Sequence, residues 1–192
     1  MAGTMINSPS AYFTEMSRAA AGIDQQAILR YVDALFDCWK RDGCVHIFGN
    51  GGSHANASHT VADFVKTAMV DGKRRLRALC MSDNLPMLTA VGNDLSYHDT
   101  FSFPLESYAR KGDLAVAISC SGNSPNIIKA VEVAKKIGIP VIGLTGLKGG
   151  KLGPMSDIHI NVPSDNFGVI EDLHMSVGHI AAQMFHDRLM KA

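Results

Sequence analysis

The sequence has no excess of charge of either sign: 18 Lys and Arg are matched by 18 Asp and Glu over 192 residues. A balanced chain offers no broad cationic surface, which argues against nucleic acid as a partner. The one local basic run, Lys73, Arg74, Arg75 and Arg77, reads as a solvated turn. Also lacking are an apolar run of the roughly 18 residues that a membrane span requires and a basic-then-apolar leader at the N-terminus. Cysteine is scarce. Cys38, Cys44, Cys80 and Cys120 show neither the close pairing of a zinc finger nor the density of a secreted disulfide scaffold, so reduced core thiols in a cytoplasm are expected. No repeat at solenoid period and no low-complexity linker divides the chain, whose length suits one domain with a sizeable core.

What is present is an alternation of periodicities. Pro9 to Gly22 and Gln25 to Arg41 have helical spacing, with Ile28, Tyr31, Val32, Leu35, Phe36 and Trp39 on one broad apolar face and Asp42-Gly43 as the stop. Short apolar runs then alternate with helix-like segments. Strands are predicted at 44–48, 76–80, 114–119, 140–145 and 158–162, and helices at about 53–65, 85–91, 125–137 and 169–190. A run such as Leu114-Ala115-Val116-Ala117-Ile118 is apolar on both faces, as a parallel sheet covered on both sides requires. The expected fold is an open, doubly wound α/β sandwich with its ligand at the carboxyl ends of the strands.

Two loops carry the first chemistry. Ser119-Cys120-Ser121-Gly122-Asn123-Ser124 joins a strand to a helix, and Gly49-Asn50-Gly51-Gly52-Ser53 follows an earlier strand. Hydroxyls, a glycine turn and a helix N-terminus place donors around an anion, so a phosphorylated small molecule is the leading ligand. A proton-transfer set is sought on the helices. His59 and Asp63, four residues apart, share a helix face, while Glu171 and His179, eight apart, lie on faces about 80° from each other. His54 and His174 read as structural.

The runs GNGGSHANASH, VGND, SCSGNSPNIIKA and IEDLHMSVGH, in this order and at these spacings, resemble the SIS (sugar isomerase) domain proteins and, within them, the sedoheptulose 7-phosphate isomerases. The resemblance covers nearly the whole chain. It implies a five-stranded parallel sheet of flavodoxin-like order flanked by helices. Residues 1–42 become an N-terminal helical segment serving oligomerisation into a homotetramer, and residues 43–192 become the SIS domain. It also implies an aldose–ketose isomerisation through an enediol. Asn50, Gly51, Gly52 and Ser53, with Asn93 and Asp94, become sugar contacts, and Ser119, Cys120, Ser121 and Ser124 form the phosphate loop. Cys120 replaces the family's usual Thr, which removes a hydroxyl and leaves the backbone donor. His59, Asp63, Glu171 and His179 become the ligands of a divalent metal, zinc in the family, with Glu171 also touching substrate and Asp63 and His179 assigned to proton transfer.

Two of these four positions depart from the family pattern, which has Glu in place of Asp63 and Gln in place of Glu171. Asp is one methylene shorter, drawing its carboxylate back by about 1.5 Å, enough to disturb proton transfer. Glu171 adds a negative charge where a neutral amide is usual, so the base is either Asp63 or Glu171. Isomerisation of another sugar phosphate is one alternative. A non-catalytic SIS paralogue that binds the replication initiator protein is a second, weakened by the presence of an acid and a His at the proton-transfer positions. A sugar-phosphate sensor fused to a DNA-binding helix-turn-helix is a third, and this chain has no room for that helix-turn-helix.

Overall fold

The apolar runs become the strands of one parallel sheet. In the computed structural model, which describes residues 4–192, they are β1 (Cys44–Gly49), β2 (Arg77–Cys80), β3 (Leu114–Ser119), β4 (Val141–Thr145) and β5 (Ile158–Asn161). Their spatial order is β2-β1-β3-β4-β5, with every pair parallel. This is the flavodoxin-like order expected. The inner strands β1, β3 and β4 are buried from end to end, which explains why their sequences do not alternate. β2, at the edge, does alternate: Ala78 and Cys80 are buried, Arg77 and Leu79 exposed.

One face of the sheet is covered by α2 (Gln25–Lys40), α3 (Gly52–Ala62) and α8 (Phe167–Met190), the other by α5 (Ser102–Tyr108), α6 (Pro125–Ile137) and the short α7 (Leu152–Met155). The first core contains Tyr31, Val32 and Leu35 of α2 together with Val45, Ile47, Val116 and Phe185, all fully buried. The second packs Phe48, Ala115 and Ala117 against Phe101, Ile127 and Val131. α1 (Pro9–Ala21) lies along the start of α8, where Ala19 meets Val169, Ile170 and Leu173. Residues 1–3 of the expected N-terminal segment lie outside the described residues. α4 (Leu85–Asp94) and a single tight turn, Tyr97–Asp99, lead from β2 to α5.

Helix starts follow the local chemistry. Asp24 accepts from the Gln26 N–H at the head of α2, and Asn166 from the Val169 N–H at the head of α8, the usual use of a short polar side chain to satisfy a free first-turn donor. The helix expected to run to Val65 changes character earlier. Regular turns end at Ala62, and Asp63–Thr67 form a wider turn in which the Ala68 N–H donates to the Asp63 carbonyl at 2.8 Å. Such expanded turns re-aim side chains and gather at functional sites. Helices at 102–108 and 152–155 were not expected, being too short to show a period. No helix of the described residues is long and apolar enough to cross a membrane.

Candidate active site

The strand order reverses between β1 and β3, and the crevice at their carboxyl ends is where an open α/β sheet takes its ligand. Gly51, with φ 55° and ψ −122°, holds a backbone conformation essentially restricted to glycine, and lets the chain turn from β1 directly into α3. Opposite it, the β3–α6 loop gathers hydroxyls. Ser119 Oγ and Ser124 Oγ are 3.3 Å apart, and Ser124, at the N-terminal cap of α6, makes no side-chain bond to its own helix. Ser121 Oγ accepts from the Asn123 N–H at 3.2 Å. A cleft of about 160 Å³ is lined by Asn50, Ser53, Ser119, Cys120, Ser121 and Ser124, with Ile118, Phe167 and Glu171 completing its walls. Hydroxyls at the positive end of α6 suit an anion.

Asn50 is fixed by residues that sequence reasoning missed. Its amide exchanges two 2.9 Å hydrogen bonds with Asn126, which is 1% exposed, and it accepts a third from the Tyr97 hydroxyl at 2.9 Å. The SGNSPN spacing, which puts Asn126 in the first turn of α6, was the available signal. Nothing in the sequence pointed to Tyr97 or Phe167. Asn93 and Asp94 lie at the exposed end of α4, paired with each other at 2.8 Å, and are not among the cleft-lining residues.

The second part of the site is the seam between α3 and α8. The helices approach closely because both are small at the contact. A β-carbon on Gly178 would stand 2.8 Å from Thr60 Oγ1, and one on Gly52 would strike the Glu171 carboxylate. Asn56 Nδ2 ties the helices by donating to the Glu171 carbonyl at 2.8 Å. On the open side of the seam, His59 Nε2 and His179 Nε2 stand 3.1 Å apart, each 3.5 Å from Asp63 Oδ2. Ligand atoms about 2.0–2.2 Å from a tetrahedral ion are separated by about 3.3–3.6 Å. These three donors therefore fit one divalent ion, with a fourth position left open. The other Asp63 oxygen is held by the Thr67 hydroxyl at 2.9 Å, the kind of supporting contact that orients a metal-ligating carboxylate.

Glu171 stands outside this group. Its Oε1 is 3.8 Å from Cys120 Sγ, so its carboxyl faces the phosphate loop. The four-ligand set implied by the resemblance is a three-ligand set in this geometry, with the fourth carboxyl turned to the cleft. Burial pushes the Glu171 carboxyl above the usual carboxylate range, with Asp172 adding to the effect, and burial beside Glu171 pushes the Cys120 thiol up to about 11. His174 is buried, with a ring Nε2–H that donates to the Thr145 carbonyl at 3.0 Å, a structural role. His54 pairs through Nδ1 with Ser82 Oγ at 2.7 Å. All four cysteines are free and buried.

Along α8, Glu171 and His179 are eight residues apart, an axial rise of about 12 Å. The site thus has two ends: an anion cradle with a buried carboxyl beside it, and an imidazole–carboxylate cluster about two helical turns away. A ligand that engages both must be long and must carry its anionic group at one terminus.

The chain is similar to known proteins over most of its length. The SIS domain family matches residues 11–146. The probable phosphoheptose isomerase of Thermoplasma acidophilum is 35% identical over 92% of this chain and 97% of its own length. The phosphoheptose isomerase of Desulfovibrio desulfuricans is 38% identical over 77% of this chain and 70% of its own. The solved structure of phosphoheptose isomerase GmhA from Neisseria gonorrhoeae superposes with a TM-score of 0.86 at 33% identity, covering 93% of this chain and 96% of that one. With the SIS domain matched over residues 11–146 and relatives 35–38% identical over most of its length, this chain belongs to the phosphoheptose isomerase family of SIS domain proteins.

Proposed function

We propose that this protein converts sedoheptulose 7-phosphate to an aldoheptose 7-phosphate through an enediol. The separation of the two ends of the site carries this reading. In a 7-phosphate the reacting carbons, C1 and C2, lie at the far end of the chain from the phosphate. A phosphate on Ser119, Ser121 and Ser124, with the chain passing Asn50 and Glu171, directs C1 and C2 toward Asp63 and His179.

At that end Asp63 removes a proton from C1 of the ketose and returns it to C2 of the enediol. His179 moves the hydroxyl proton from O1 to O2. His59, Asp63 and His179 would hold a divalent ion, which we propose to be zinc and which would supply Lewis-acid stabilisation of developing negative charge on oxygen. Glu171, next to the cradle, contacts the middle of the sugar.

The cleft of about 160 Å³ is below the roughly 300–1,000 Å³ of most ligand sites, which supports further walls supplied by other subunits. An apolar groove between α2 and α8, lined by Ile23, Ile28, Leu29, Val177, Ile180 and Met184, offers the surface for a homotetramer in which residues 1–42 serve assembly and 43–192 bind the sugar. Free, buried cysteines support a cytoplasmic location.

A second reading rests on Glu171. With its pKa raised beside the phosphate loop it is suited to act as base on a shorter sugar phosphate, whose reacting carbons stay near the phosphate. Incubating zinc-loaded protein with sedoheptulose 7-phosphate and with shorter ketose phosphates in heavy water, followed by NMR, separates the two. Deuterium entry and aldose formation on the seven-carbon sugar, abolished by Asp63→Asn, is the expected result. Turnover confined to shorter sugars and abolished instead by Glu171→Gln would establish the second reading.

A further inference from the structure

α3 carries metal-binding chemistry on two sides, and only one of them belongs to the seam with α8. His54 precedes His59 by five residues, which turns it about 140° round the helix, toward the end of β2. There His54, Cys80 and Asp83 bring one nitrogen, one sulfur and one oxygen donor within 4.8 Å of one another. His54 Nδ1 lies 3.6 Å from Cys80 Sγ. A tetrahedral ion with bonds of about 2.3 Å to sulfur and 2.0–2.1 Å to nitrogen places those donors about 3.5–3.6 Å apart.

The surroundings hold the donors in place. His54 and Ser58, four residues apart, share a helix face, and the Ser58 hydroxyl donates to Asp83 Oδ2 at 3.3 Å. Cys80 is anchored in the sheet through its pairing opposite Ile47. The Ser82 hydroxyl is within hydrogen-bonding distance of both, 2.7 Å from His54 Nδ1 and 3.5 Å from Cys80 Sγ.

We propose that His54, Cys80 and Asp83 form a second metal site, distinct from the His59–Asp63–His179 cluster, which binds a thiophilic divalent cation such as zinc and clamps the β2–α4 turn to α3. A thiolate with an imidazole selects against the hard ions magnesium and calcium, which prefer all-oxygen sites. On binding, the Cys80 thiol releases its proton to solvent as the sulfur–metal bond forms.

Cobalt(II) is the direct probe, because a thiolate-to-cobalt charge-transfer band reports a cysteine ligand and the His59–Asp63–His179 cluster has none. Titrating metal-free full-length protein with cobalt is expected to raise this band to saturation at one cobalt–thiolate centre per chain. The band is lost in Cys80→Ser and weakened at least tenfold in apparent affinity in His54→Ala. It persists in Cys120→Ser and in His59→Ala. Competing zinc bleaches it, and millimolar magnesium does not. Failure of folded wild-type protein to develop the band, or its survival in Cys80→Ser, overturns the proposal. Should Cys80→Ser fail to fold, an at least tenfold weaker apparent affinity in His54→Ala with unchanged affinity in His59→Ala supports it, and the reverse pattern overturns it.

Discussion

The cradle and the seam are built in opposite ways. The cradle comes from two loops, each contiguous in sequence, and its chemistry is neutral: hydroxyls and the positive end of α6. The seam is assembled from side chains 120 residues apart, His59 and His179, and its chemistry is titratable. The contrast teaches that anchoring an anion needs only backbone geometry and small polar residues, whereas moving protons needs ionisable groups brought together by tertiary packing. Each of the following measurements breaks one region and reads the effect on the other.

The largest effect is expected in the seam. Asp63→Asn keeps the side-chain volume and the bond to Thr67 while removing the carboxylate proposed as base and metal ligand, so kcat on sedoheptulose 7-phosphate should fall by roughly a thousandfold, within the range of lost acid–base catalysis. KM should change little, because the phosphate anchor is intact. Equal losses in kcat/KM caused mainly by KM would mean that Asp63 binds rather than reacts.

His174 lies between Glu171 and His179 on α8 and fixes that helix to the end of β4, so it serves both regions. Burial lowers its pKa from 6.5 to about 4. The unfolded chain takes up a proton below about 6.5 and the folded chain does not until about 4, so this contribution is complete above the ordinary histidine range and is lost as pH falls between those values. The loss amounts to roughly 3 kcal/mol. Urea unfolding at pH 7.5 and pH 4.5 should show the decline in the wild type and a smaller decline in His174→Gln. Parallel declines in both would remove His174 as the cause.

The cradle should respond more modestly. Ser121→Leu fills the space beside the phosphate and removes a hydroxyl, and KM should rise by roughly tenfold to a hundredfold, the equivalent of leaving a charged group short of one or two hydrogen bonds. For enzyme saturated with substrate, kcat should stay within a few-fold. Unchanged affinity of the folded variant for the sugar phosphate would move the phosphate elsewhere.

Legibility followed the same division. The strand β3 and the helix α6 have the boundaries their sequences suggest, because an unbroken apolar run and a Pro start with a Gly stop are local signals. Asn50, Ser53, Ser119, Cys120, Ser121 and Ser124 were all read as ligand contacts, and all line the cleft. The orientation of Glu171 was not legible: its position on α8 is a matter of sequence, but its turn toward Cys120 depends on the gap left by Gly52. Asn126 and Tyr97, which lock Asn50, are 76 and 47 residues away from it, and no periodicity reports such a contact. The His54–Cys80–Asp83 cluster depends likewise on the register of β2 against β1.

The smallest effect is expected from restoring the residues usual in the family. In Asp63→Glu with Glu171→Gln, the added methylene carries the seam carboxylate about 1.5 Å further toward the reacting carbons, and the amide removes a negative charge from the side of a cradle meant for a dianion. Both changes favour the seven-carbon sugar, so kcat/KM on sedoheptulose 7-phosphate should rise a few-fold. The single variants divide the gain between the regions: Asp63→Glu should act on kcat and Glu171→Gln on KM. The second effect carries a pH signature, because a Glu171 carboxyl with a raised pKa repels the phosphate less in its protonated form. The KM advantage of Glu171→Gln should therefore shrink as pH falls through that raised pKa. An advantage independent of pH would show that Glu171 acts by shape alone, and a loss of activity in the double variant would show that this chain has rebuilt its seam around the shorter acid for a different sugar.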